Sequence, residues 1–220
     1  MTQRTFYDAM LSGHAHRPRA MLALLDVPHE RVVMNLAAGE HKRPEFLHLN
    51  PLGQVPVFVD GLNADGTEAA APLVLRDSTA ILVYLATVFD PERRWLPTDP
   101  ARAAQVQAWL ATSSHDVFDG PCAARLNLLF GAPFDHARAV ARAHALFTNL
   151  FEPHLTTHDW LVGDAPTIAD VANYGYIAAA HEGGIALDDY PHLRAWLARL
   201  ESVERFVPMP RAADVRAAAG

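Results

Sequence analysis

Cysteine is almost absent: Cys122 is the only one in 220 residues. A single thiol excludes an intrachain disulfide and a cysteine-rich metal site, and it suits a reducing compartment. Long apolar runs are missing too. The longest, residues 80–89, is interrupted by Thr87 and falls well short of the roughly 20 residues that cross a bilayer. The first ten residues lack the apolar core of a secretory leader, so a cytoplasmic protein is expected. Positive charge is in the minority, with 18 Lys and Arg against 25 Asp and Glu, for a formal net charge of −7. That balance gives no general attraction to nucleic acid or to an anionic membrane, so an anionic ligand has to be held by a local positive patch.

What is present is the composition of a globular protein: 50% hydrophobic and 20% charged residues. The first 89 residues mix strand and helix signals. Residues 5–8 predict a short strand. Met21, Leu22, Leu24 and Leu25 give a helix over 16–25 that stops before Pro28, and the alternating, β-branched stretch 31–35 gives a second strand. A short helix over 41–48 follows. Strands over 55–60 and 73–76 flank a connection rich in turn formers, and a helix over 78–89 has Asp77 as its N-cap. The order β-α-β-α-β-β-α implies a mixed sheet, with a parallel pair from the βαβ start and an antiparallel pair from the later hairpin.

Residues 90–100 hold three prolines and several charges around Trp95, the composition of a linker pinned by its indole. Beyond it strand signals vanish. Helical periodicity runs over 101–119, 135–154, 168–180 and 192–200, with Gly120-Pro121 ending or kinking the first. The Ala-rich tail after Arg211 is expected to fray. The organisation is therefore an α/β domain over 1–89, a linker over 90–100 and an all-helical domain over 101–220.

Three stretches carry a resemblance. The segment 39–57 ends in Asn50-Pro51-Leu52-Gly53-Gln54-Val55-Pro56, Asp77-Ser78 opens a helix after the hairpin, and Gly163-Asp164-Ala165-Pro166-Thr167-Ile168-Ala169-Asp170 lies in the helical half. In this order they resemble the glutathione S-transferase family, bacterial and of the Ser type, across nearly the whole chain. That family pairs a thioredoxin-like domain with a helical bundle. Thr167-x-x-Asp170 reads physically as a capping box, which is structural.

The resemblance implies a cis bond at Pro56, so that the backbone N–H and C=O of Val55 can pair with a peptide-like ligand as an added strand would. It implies that Ser78 and its N–H hold the γ-glutamyl carboxylate of glutathione at a helix N-terminus, with Asp77 facing the ligand's ammonium. Gln54, His41 and Lys42 are the candidates for the glycyl carboxylate. Ser12, just past the first strand, matches the position of the family's thiol-activating Ser. A free thiol has a pKa of about 8.5, and lowering it by two units takes roughly 2.7 kcal/mol, within reach of a hydrogen bond plus a helix dipole. Tyr7 is the competing activator, since other classes use a Tyr near this strand, and a nearby His is a third; Ser12 is favoured. His14 and His16 form an H-x-H, but without further ligands at metal spacing they read as solvated loop residues, and no metal is expected. His14 can still border the sulfur site.

An apolar pocket for the second substrate is expected against the first long helix of the bundle, with Trp109, Ser113, Asp116 and Phe118 as candidates; Trp109 also fits a core position. Cys122 reads as a buried small hydrophobe, far in sequence from the site, which disfavours a Cys-dependent thiol transfer. The resemblance implies a detoxification-type transferase in which glutathione thiolate attacks an electrophile or reduces a peroxide or disulfide, without a covalent enzyme intermediate. A non-catalytic glutathione-binding or interaction module of the same fold is the alternative. The family also implies a homodimer.

Overall fold

The computed structural model describes residues 4–63 and 66–218. Four strands form one mixed sheet in the order β2-β1-β3-β4. β1 (Arg4–Asp8) runs parallel to β2 (Glu30–Val33), and β3 (Val57–Leu62) is antiparallel to both β1 and β4 (Glu68–Arg76). The helices α1 (Gly13–Leu24), α2 (Pro44–Leu49) and α3 (Ser78–Val88) complete the β-α-β-α-β-β-α order. Phe6 and Phe58 from the sheet are buried with Met21, Leu22, Ile81, Leu82 and Leu85 from α1 and α3. This is a thioredoxin-like domain, and a helical domain follows it.

Boundaries in the sheet half differ from expectation: β2 ends at Val33 rather than residue 35, and β3 runs over Val57–Leu62 rather than 55–60. α1 begins at Gly13 rather than residue 16, because Ser12 caps it by accepting the Ala15 N–H at 3.1 Å. β4 begins at Glu68 rather than Leu73 and carries Pro72 in its interior. β4 is an edge strand, where a residue without an N–H is tolerated. Ala64 and Asp65 of the preceding connection lie outside the described residues.

The chain leaves α3 through a segment fixed by hydrogen bonds: Trp95 N–H donates to Asp90 at 2.7 Å, and the Trp95 carbonyl accepts from Ile168 N at 2.9 Å. α4 (Pro100–Ser114) ends five residues earlier than the periodicity suggests. Gly120-Pro121 does not stop the chain but sits in a wide turn, Phe118–Cys122, that feeds α5 (Ala123–Phe130), a helix the sequence pattern did not disclose. The turn packs tightly on α6 (His136–Leu146): a Cβ on Gly120 would come within 3.1 Å of the Ala143 backbone. A second wide turn, Phe147–Phe151, separates α6 from α7 (Glu152–Leu155).

α8 (Ile168–Ala178) is the axis of the bundle, with every residue from Ile168 to Ile177 buried. The capping box forms as expected. Asp170 accepts from Thr167 N at 2.8 Å, from Leu161 N at 3.0 Å and from Trp196 Nε1 at 2.9 Å, the last on α9 (Pro191–Glu201). The tail is a correction. Instead of fraying it forms α10 (Ala212–Ala218), whose Ala212 N–H donates to Glu182 at 2.6 Å. No described helix is long and apolar enough to cross a membrane.

Candidate functional site

Strand register decides which loops meet. Tyr7 pairs with Val57, and Val57 pairs with Arg76, so β1 ends, β3 begins and β4 ends at one edge of the sheet. One step beyond that row lie the turn leading to Ser12, the Val55-Pro56 pair and Asp77-Ser78. The N-termini of α1 and α3 therefore open on the same edge, and both present unpaired N–H groups and positive dipole ends.

The turn after β1 is held by buried charge. Asp8, fully buried, accepts from Arg19 at 2.7 and 2.8 Å and from Arg31 at 2.7 Å. Arg125, fully buried on α5, pairs with Glu182 at 2.7 Å and donates to the Leu11 carbonyl at 2.7 Å. These contacts set the path of residues 9–12. Ser12 is half-buried; its oxygen accepts from Ala15 N–H, and its own O–H has no acceptor among the described residues.

The Val55-Pro56 bond is cis. The Val55 N–H and C=O have no hydrogen-bond partner among the described residues. The loop before it is built by the conspicuous Asn50: its Nδ2 donates to the Gln54 carbonyl at 2.7 Å and its Oδ1 accepts from Leu52 N at 3.1 Å. Lys42 Nζ reaches the carbonyls of Leu52 and Gly53 at 3.2 and 2.9 Å. Gly53 has φ +57, and a Cβ there would meet the His41 carbonyl and Lys42 Nζ at 2.8 Å. Lys42 and the His41 backbone thus clamp the loop, while the Gln54 side chain is exposed. Burial and the neighbouring Lys42 charge lower the His41 pKa.

Asp77 sits at φ +76, unusual for a residue with a side chain. Its Oδ1 takes the whole capping load, from Thr79 N at 2.9 Å, Ala80 N at 3.0 Å and the Thr79 hydroxyl at 2.6 Å. Oδ2 is left without a partner among the described residues. Burial pushes this carboxyl up, but the Thr79 and Ala80 hydrogen bonds outweigh it and hold it below the usual range, with Arg17 acting in the same direction. Ser78 is buried, and its Oγ accepts from Arg17 Nη1 at 2.9 Å.

Arg17 is the residue the sequence did not single out. It is 1% exposed, yet its acceptors are all uncharged: the carbonyls of Ala172 and Ser113 at 2.8 Å each, Ser78 Oγ, and His14 Nδ1 at 3.1 Å. In the sequence it is one more Arg between two His and a Pro. Only the fold shows that this face of α1 is covered by α3, α4 and α8.

The histidines are corrected accordingly. His14 and His16 lie within α1, not in a solvated loop. His16 is fully buried, its Nε2 2.7 Å from the Val207 carbonyl. His14 is half-buried, with its ring edge-on to Tyr176 at 5.2 Å and tilted on Phe118 at 5.9 Å; Phe118 in turn meets Phe134 edge-on. Burial and Arg17 drive the His14 pKa down to about 3 against a smaller upward pull from Asp77. Of the other pocket candidates, Trp109 is withdrawn from the cleft: it is buried in the bundle core against Phe151 and His154. Ser113 is fully buried, its hydroxyl spent on the Leu110 carbonyl at 2.7 Å. Asp116 is half-buried in the turn after α4. Tyr7 packs edge-on against Phe46 of α2 at 5.6 Å.

Cys122, remote in sequence, lies near Tyr176 and Arg17 in space. It is fully buried, and that burial pushes it up to about 11, which leaves it protonated and inert. No group of His, Cys, Asp and Glu that could hold a metal ion occurs among the described residues.

Residues 11–88 match the family model for the glutathione S-transferase N-terminal domain, and residues 134–204 match that for the C-terminal domain. Glutathione S-transferase 3 of Zea mays is 33% identical over 211 residues, spanning 89% of this chain and 88% of its own. Maleylacetoacetate isomerase of Pseudomonas aeruginosa is 32% identical over 195 residues, 86% of each chain. The crystal structure of a glutathione S-transferase from Pseudomonas fluorescens superposes with a TM-score of 0.82 at 29% identity, covering 95% of this chain and all of that one. Sequence likeness over both halves, together with the shared fold, shows that the chain belongs to the glutathione S-transferase family.

Proposed function

We propose that the protein binds glutathione along this sheet edge and activates its thiol as a thiolate for attack on an electrophilic small molecule, or for reduction of a peroxide or disulfide. The observation that carries this is the coincidence, at one edge, of a free peptide unit at Val55, a helix N-terminus at Ser78 and a Ser12 O–H without an acceptor among the described residues. A γ-linked tripeptide supplies a group for each. Its cysteinyl backbone pairs with Val55 as a short added strand. Its γ-glutamyl carboxylate takes the Ser78 N–H and hydroxyl at the start of α3, and its ammonium takes Oδ2 of Asp77. The glycyl carboxylate falls to Gln54 and Lys42, beside His41.

Ser12 then donates to the sulfur. With the α1 dipole behind it, the roughly 2.7 kcal/mol needed for a two-unit drop in thiol pKa is within reach. The thiol proton passes to solvent and no bond forms to the enzyme. The electrophile is proposed to lie against Phe118, Phe134, His14 and Asp116, with Trp109 and Ser113 serving as the frame behind. Two copies are proposed to pair in a cytoplasmic homodimer; the exposed Leu73 and Val74 on edge strand β4 suit such a contact.

The test is retention on immobilised glutathione followed by turnover of a generic haloarene electrophile. Retention with turnover that collapses in Ser12→Ala supports the transferase. Retention without turnover across several electrophiles favours a binding module, and no retention overturns both.

A further inference from the structure

We infer that His14 is a second hydrogen-bond donor to the glutathione sulfur, its proton fixed on Nε2 by the buried guanidinium of Arg17. This role presupposes the bound glutathione proposed above. A guanidinium can only donate, so the 3.1 Å contact from Arg17 Nη1 makes His14 Nδ1 an acceptor. The neutral ring therefore carries its proton on the far nitrogen. That nitrogen has no acceptor among the described residues and is not sealed from solvent. His14 stands two residues after Ser12 in the first turn of α1, and its ring is fixed against Tyr176 and Phe118.

The polarity of this pair is the reverse of a carboxylate-backed histidine. A carboxylate behind the ring makes it a base; a cation behind it, unpaired with any carboxylate, holds the ring neutral and makes the outer N–H a stronger donor. Three titratable groups face the ring: Arg17 on its own helix, Asp77 ahead of α3, and Tyr176 on α8, whose hydroxyl burial pushes well up. Phe118 adds none. His14 thus neither takes nor releases the thiol proton, which leaves to solvent, while its N–H and the Ser12 O–H share the charge left on sulfur. Arg17 is a positioning residue in this scheme.

The deciding measurement is the ultraviolet titration of the thiolate of bound glutathione, without electrophile, in the wild type, His14→Ala and His14→Gln. His14→Ala should raise the midpoint by about one unit, a tenfold loss of thiolate at pH values below both midpoints, while retention on glutathione persists. Gln, whose amide nitrogen reaches the place of Nε2, should recover most of the shift. A thiolate midpoint indifferent to both substitutions overturns the role of His14 alone; a wild type that holds no glutathione overturns the parent function with it. Histidine 15N spectra of the unliganded protein give a second, independent check. They should show His14 as the Nε2–H tautomer, changing to a mixture in Arg17→Met, and an Nδ1–H tautomer in the wild type would refute the inference.

Discussion

Arg17 Nη1 stands 2.9 Å from Ser78 Oγ, joining α1 to the first residue of α3. Because the guanidinium donates, the Ser78 oxygen is the acceptor and its own proton is turned elsewhere, free for an incoming carboxylate. The same cation donates to His14 and to carbonyls of α8 and α4. One buried side chain therefore sets the orientation of two groups at the cleft and locks the helical domain against the sheet domain.

Ser12→Ala should lower the conjugation rate by up to about tenfold at pH values below both thiol midpoints, a shift of about one pKa unit, because the α1 dipole and His14 still hold part of the thiolate. The substitution also removes the α1 cap, at about 1 kcal/mol of stability. Ser12→Thr keeps both functions, so it should retain much of the rate. Steady-state kinetics beside urea unfolding separate the two effects. A Ser12→Ala enzyme within twofold of wild type would move the activating role to Tyr7 or His14.

Asp77→Asn keeps an oxygen for the capping bonds but removes the charge proposed to meet the ligand's ammonium. KM for glutathione should rise several-fold with kcat nearly unchanged, the mark of a lost ground-state contact. Asp77→Ala removes the cap as well and should lower thermal stability, which the Asn variant should spare. Equal KM values for Asp77→Asn and wild type would exclude the ammonium contact.

The order of elements was legible because each carries its own period, and the motif at 50–56 was legible because Asn50, Gly53 and Pro56 each answer a backbone need that no other residue meets as well. Three things were hidden. α5 follows a Gly-Pro that normally ends helices, and only the closeness of Gly120 to Ala143 shows why the chain continues in a wide turn. The Ala-rich start of β4 has no strand signal of its own and is a strand because β3 pairs with it. The cluster of Arg17, Ser78, Cys122 and Tyr176 draws on four separate elements. No spacing rule unites them, and the pattern leaves Trp109 open as either a pocket or a core residue because burial and pocket lining look alike on one helix face.

Gly13→Ala should be costly although it is a change from the poorest helix former but Pro to the best. A Cβ there would lie 2.7 Å from the Tyr176 ring, inside the seam between α1 and α8. Overpacking of this kind costs about 1–3 kcal/mol. Thermal or urea unfolding should show the loss, and it should shrink in a Tyr176→Leu background, where the ring is gone. Additive costs in the double mutant would place the strain elsewhere.

Acid should destabilise the fold through His16. Its Nε2 donates to the Val207 carbonyl, its Nδ1 is sealed without a partner, and burial lowers its pKa from 6.5 to about 4 despite the upward pull of that carbonyl. Between these values the unfolded chain binds a proton that the folded chain refuses, so stability rises with pH and is lost on acidification through this window. From pH 7 to 5 the loss from this group comes to about 2 kcal/mol. His14, lowered in the same direction by burial and Arg17, adds to it. Urea midpoints measured between pH 7 and 5 should fall in the wild type. They should fall less in His16→Gln, whose amide can still reach Val207 but does not titrate. Parallel curves for the two proteins would mean that His16 charges in the native state, and the sealed environment assigned to its Nδ1 would then be wrong.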